Sequence, residues 1–201
     1  MNELDVPQRM RLLSNVRRAF EDVFYARRMP VPNGLGSSAL TTNDEDLYWA
    51  AHAEACDALD RAKGSYGSKV KYLPPHWRRI YTITALDADV INGGFHQFFT
   101  NAGGRYDQHL IEDVEAFGQD VLAEIVRRAW KQYAALDYSD QWKNRGKSWD
   151  YFVEPYKEGR FDAEDKDYYD LMDKDWLTPY IGRHVRENFD LFASASSTDT
   201  K

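Results

Sequence analysis

One cysteine, Cys56, stands among the 201 residues. That excludes an internal disulfide and any multi-cysteine metal site, and it suits a reducing compartment. Long apolar runs are missing too. None approaches the roughly 18 residues that a membrane span needs, so no membrane partner is expected. The opening Met1-Asn2-Glu3-Leu4-Asp5 has neither the basic start nor the apolar stretch of a signal peptide. A soluble cytoplasmic protein is the expectation. Strand-like alternation and internal repeats are absent, which removes the sheet classes.

Recognisable chemistry is also scarce. His52, His76, His96, His109 and His184 show no HxxxH spacing, so no metal site is predicted. The Asp165-Lys166-Asp167 order lacks the glycine and terminal glutamate of a calcium loop. Gly93-Gly94 lies outside any GxxxxGK[ST] pattern and follows a helix rather than a strand. No cofactor is implied. His96, with Asp87 and Asp89 upstream, is the one arrangement that could serve as a general base. No serine or cysteine nucleophile sits at a matching spacing, so a non-enzymatic protein is favoured and a site around His96 is the weaker alternative.

What is present is helix. Asp5 and Pro7 open the first, with Leu12, Leu13, Val16, Phe20, Val23 and Phe24 on one face. Its arginines form either a solvated face or a docking surface for an acidic partner or a second subunit. Pro30 to Ser38 reads as a linker. A helix starting after Thr42 or Asn43 carries Asp44, Glu45 and Asp46 in its first turn and the small stripe Leu47, Ala51, Ala55, Leu59 and Ala62. Pro74-Pro75 opens a third, with Trp77, Ile80, Tyr81, Thr84, Ala88 and Ile91 on its inner face. Asn92-Gly93-Gly94 breaks it, and Phe95 to Thr100 resumes as a short helix. Helices follow over 107–117 and 119–136, separated near Gly118; the second puts Val121, Leu122, Ile125, Val126, Ala129, Trp130 and Tyr133 on one face. The stretch 137–147 reads as a loop, 149–158 as a short helix and 163–176 as another. A last helix starts at Thr178-Pro179, with Ile181, Val185, Asn188, Phe189 and Phe192 together.

The prediction is all-α: one compact domain of about eight or nine helices with an N-terminal helical arm. Residues 1–36 form the basic amphipathic helix and linker, 37–193 the helical domain and 194–201 a disordered tail.

Charge is unevenly placed. The net is -7, from 26 Lys+Arg and 33 Asp+Glu, which argues against direct nucleic-acid binding. The segments 41–60, 106–126 and 161–175 together hold 19 acids and 2 bases, and the rest holds 14 acids and 24 bases. Solubility is one explanation. The other is a presented negative surface that holds a basic partner. The residues taken for it are Asp44, Glu45, Asp46, Glu112, Asp113, Glu115, Asp162, Glu164, Asp165, Asp167, Asp170 and Asp173.

The stretch from Asp87 to Asn101 carries a resemblance. Asn92, Gly93, Gly94, Phe95, Gln97, Phe98, Phe99 and Asn101 resemble the Asn-Gly-Gly-Phe-x-Gln-Phe-Phe-x-Asn hallmark of a bacterial family long catalogued as of unknown function. Tyr168-Tyr169 and the run from Pro179 to Phe189 look like that family's C-terminal helices. The resemblance spans roughly residues 43 to 192. This chain has Asp89 where the family usually carries glutamate, and its arginine-rich first helix looks like an addition.

The family's best-known member is a DNA mimic, an all-helical dimer whose carboxylates imitate duplex phosphates. The resemblance therefore implies an interaction protein, a homodimer, whose acidic helices occupy a basic protein partner such as a DNA-binding transcription factor. The alternative is an immunity-type inhibitor of a toxin or other enzyme. On either reading the hallmark itself is a structural corner.

Overall fold

The computed structural model describes residues 29–62, 69–102, 109–135, 159–172 and 177–194. The expected N-terminal helix, the 137–147 loop, the 149–158 helix and Asp173 lie outside the described residues.

Seven α-helices follow in order: α1 (Asp44–Arg61), α2 (Pro75–Ala102), α3 (Leu110–Glu115), α4 (Asp120–Ala134), α5 (Asp162–Met172), α6 (Leu177–Glu187) and α7 (Phe189–Phe192). Two short 3-10 turns, Ser37–Thr41 and Val70–Tyr72, precede α1 and α2 respectively. Among the described residues the only strand-like pairing is a lone bridge, Leu35 to Ala193. The fold is all-α, with seven α-helices among the described residues.

The Asn43 side chain caps α1 by accepting from the Asp46 N–H at 2.7 Å. The small stripe of α1 is buried from Leu47 to Ala62. α6 makes the most extensive helix contact with it, crossing at Gly182, where an added Cβ would overlap the Asp44 carbonyl oxygen. Arg186 of α6 fastens the crossing. It meets Asp44 at 2.9 Å and donates to the Leu40 and Thr42 carbonyls, both at 2.6 Å. Beyond the far end of α1, Lys69 is buried and donates to the Leu59 and Ala62 carbonyls, satisfying that helix end.

The Pro30 to Ser38 stretch is non-helical to Gly36, as expected, but is docked rather than a free linker. Leu35 is in the core; its N–H donates to the Phe192 carbonyl at 2.6 Å, and its carbonyl accepts from Ser194 at 2.9 Å.

Two helix faces differ in phase from the expectation. On α2 the buried residues include Trp77, Ile80, Ile83, Leu86 and Val90, whereas Ile91 is 56% exposed and Ala88 is exposed. On α4 Leu122, Ile125, Val126, Ala129 and Tyr133 are buried, whereas Val121 is 61% exposed. The last helix is also not continuous. It breaks at Asn188 (φ -116°, ψ 29°), whose side chain donates to the His184 carbonyl at 2.8 Å. Leu177 is already helical, so Thr178 and Pro179 lie within α6 rather than capping it.

Candidate functional site

The hallmark is a kink in α2. Gly94 takes a left-handed φ of 69°, which glycine adopts without a Cβ penalty, and Gly93 is also non-helical at φ -167°, ψ 32°. Non-helical backbone at Gly93 and Gly94 interrupts the helical hydrogen-bond register there. In a continuous helix the Gly94 N–H would serve the Val90 carbonyl, and the Phe95 N–H would serve the Ile91 carbonyl.

α5 supplies both replacements from residues one turn apart. The Tyr169 hydroxyl donates to the Val90 carbonyl at 2.9 Å, and the Phe95 N–H donates to Asp165 Oδ1 at 2.7 Å. The Asp165 carboxylate faces the positive end of the resumed helix. Gly94 leaves it room, since a Cβ there would overlap it.

The rest of the hallmark serves the same corner. Asp89, before the kink, accepts from Asn101 Nδ2 at 2.7 Å and Gln97 Nε2 at 3.4 Å, both after it. Phe95, Phe98 and Phe99 are buried. Phe99 stacks on Tyr133 of α4 at 4.3 Å, and Phe95 meets Tyr168 of α5 edge-on at 5.8 Å. The Tyr168 hydroxyl donates to Asp87 Oδ1 at 2.8 Å. Burial pushes the Asp87 carboxyl above its ordinary range against that hydrogen bond, and pushes the Tyr168 phenol well up. The kink therefore fixes α4 and α5 side by side.

The reading of His96 as a base finds no support in this arrangement. His96 is 5% exposed, and Asp87 and Asp89 are engaged by Tyr168, Gln97 and Asn101.

Of the twelve acids expected on one surface, Asp173 lies outside the described residues and the other eleven divide into three groups. Some are internal. Asp113 is 0% exposed and grips Arg78 in a two-point ion pair, 2.8 Å at the nearest, with Thr82 donating to it at 3.2 Å. Glu164 is buried, accepting from Gln132 at 2.6 Å with Arg128 at 3.8 Å. Asp165 is half-buried at the kink; burial raises its carboxyl, and the Phe95 N–H opposes this without cancelling it. These three are corrections: their charge is spent on the fold, so none belongs to a presented surface.

A second group is at the surface with protein partners. Asp44 is half-buried on Arg186, and Asp46 bonds to the cap residue Asn43. Glu112 meets His109 at 3.3 Å and Arg78 at 3.5 Å; the His109 contact leads in holding its carboxyl below the usual range. Glu115 pairs with Arg127 at 2.7 Å, Asp167 with Arg128 at 2.5 Å, and Asp170 with Lys166. The third group is exposed with no ion-pair partner among the described residues: Glu45 and Asp162.

The structure adds Asp120 and Glu124, which the sequence selection passed over. They lie one turn apart on α4 and face Asp167 and Asp170 of α5 across an open groove of about 530 Å³. Val121, Ile125 and Leu171 also line it, and among the described residues Arg128 is its one cation. The four-residue spacing of Asp120 and Glu124 on a strongly amphipathic helix was the available signal. The described residues thus bring α4 and α5 carboxylates together, and leave those of α1 and α3 apart from that groove.

Comparison with curated proteins and with solved structures returned no match. The model of the DMP19-like protein family matches residues 71–188, more than half of the chain, and spans the kink, α4, α5 and α6. The chain belongs to the DMP19-like family.

Proposed function

We propose that this chain is a non-enzymatic interaction protein that works as a DNA mimic. Its carboxylates occupy the basic, DNA-reading surface of a protein partner and keep that partner off DNA. The observation that carries the reading is the pair of carboxylate rows across the α4–α5 groove, Asp120 and Glu124 on one side and Asp167 and Asp170 on the other. Family membership supports it.

The mimicry is local. Residues four apart on a helix rise about 6 Å, whereas each DNA strand carries a phosphate about every 3.4 Å of axis. Asp120 and Glu124 therefore have roughly half the linear charge density of a strand, and Asp167 and Asp170, three apart and about 4.5 Å in rise, roughly three quarters. Arg128, Lys166 and Arg127 offset part of that charge. Recognition then rests on where a few carboxylates stand, and a steep salt dependence follows because they are exposed.

Affinity capture from the native cell, washed through a salt series, tests this. A DNA-binding protein retained at low salt and released at high salt is the expected catch. It should be lost with the triple variant Asp120→Asn, Glu124→Gln, Asp170→Asn. Recovery of a toxin-like enzyme would instead support the immunity-type alternative. Undiminished capture by the triple variant would remove the groove from the interface.

A further inference from the structure

The groove has a feature that phosphate imitation leaves unused. Its floor is apolar. Val121 is 61% exposed although it sits on a strongly amphipathic helix, and Ile125 and Leu171 border it. An exposed valine between two carboxylate rows gains nothing from solvent contact. It can bury an apolar side chain that arrives with cations on both flanks.

We propose that the groove receives a single basic amphipathic helix of the protein partner. Its arginines or lysines reach the two carboxylate rows, and an aliphatic side chain between them settles on Val121. The inference rests on the mimic reading and adds the shape of the partner's contact element. Charge complementarity selects it: among the described lining residues, four carboxylates against the guanidinium of Arg128 leave a formal charge of -3. The two rows run along neighbouring helices, so a rod between them meets both. A flat cationic patch would reach the rows and leave Val121 bare. The incoming cation also replaces Arg128 as the partner of Asp167, one of the groove's existing contacts.

The probe is a synthetic helical peptide with leucines at positions i and i+7 and arginines at i+3 and i+4, so that each leucine is flanked on both sides. Its control carries serine for leucine. Both are titrated into the ¹⁵N-labelled full chain and followed by amide shifts, then by anisotropy at two salt concentrations. The leucine peptide should move the amides of Val121, Ile125 and Leu171. It should bind about tenfold tighter than the serine control, which corresponds to about 1.4 kcal/mol. Val121→Ser should erase that preference while leaving the serine peptide's affinity unchanged. Glu124→Gln with Asp170→Asn should weaken both peptides and flatten their salt dependence.

Equal affinity of the two peptides, or a preference that survives Val121→Ser, overturns the inference and leaves the acidic-face reading standing. Shifts confined to other helices, or no binding by either peptide, overturn the groove as a helix site. Loss of native-cell capture in the acidic variants then separately decides the mimic reading.

Discussion

Asp165 offers the sharpest test of how the kink is held. It accepts from the Phe95 N–H at 2.7 Å, at the point where α2 resumes. Losing a capping acceptor costs about 0.5–2 kcal/mol, and a buried N–H left unpaired costs about 1–3 kcal/mol. Asp165 is only half-buried, so water partly replaces it, and Asp165→Ala should cost about 1.5 kcal/mol. At about 2–4 °C per kcal/mol for a chain this size, Tm should fall about 3–6 °C.

Asp165→Asn should differ. It keeps the acceptor and sheds a charge that burial disfavours. A carboxyl raised in the fold stabilises most below its ordinary range, and that contribution is lost as pH rises through the folded value. At pH 7 Asp165→Asn should therefore equal or exceed the parent, and the two should converge in acid. Asp167→Ala, an exposed pair on the same helix, should stay within about 1 kcal/mol. Differential scanning calorimetry from pH 3.5 to 7.5 reads all three. If alanine matches the parent, or asparagine is as damaging as alanine, the acceptor account is refuted.

Three further outcomes follow from the packing. Asp113→Ala strands the buried Arg78 guanidinium, so urea unfolding should show a loss of about 3–5 kcal/mol; a loss under 1 kcal/mol would contradict the buried pair. Gly182→Ala should cost about 1–3 kcal/mol, because the Asp44 backbone stands where the methyl would go. Gly36→Ala, with only Ser38 Oγ at 3.7 Å, should be close to neutral, and equal losses would contradict the crossing. His52, His76 and His184 are depressed first by burial, the last two further by Arg79. Their contribution is present above the unfolded value near 6.5 and lost as pH falls through the folded ones. The urea midpoint should drop between about pH 6.5 and 5, and a flat or rising profile would count against that burial.

Sequence periodicity and capping revealed the frame. The α1 stripe, the break at Gly93-Gly94 and the separation at Gly118 follow from local chemistry and stand where expected, and of the two expected starts of α1, Thr42 and Asn43, the second is the cap. Periodicity was less able to set phase. Ile91 and Val121 sit at edges of apolar arcs, and neighbouring helices decided that both face outward. The acids show the larger gap. Their clustering in sequence was plain, yet Asp113 and Glu164 turn inward because Arg78 and Arg128 approach from other helices. Asp165 turns to a backbone N–H seventy positions away. Which carboxylates are free for a partner depends on those long-range cations and donors, and single-helix spacing does not encode them. Hence the α4–α5 groove was not legible, although the hallmark that holds it open was.

The most direct measurement of the central claim is competition. The DNA-binding protein recovered by capture is bound to its own labelled duplex, and the full chain is titrated in. Mimicry predicts that the duplex is displaced fully, with an apparent affinity for the chain that weakens in proportion to added DNA. A stable ternary complex of partner, duplex and chain would contradict the account.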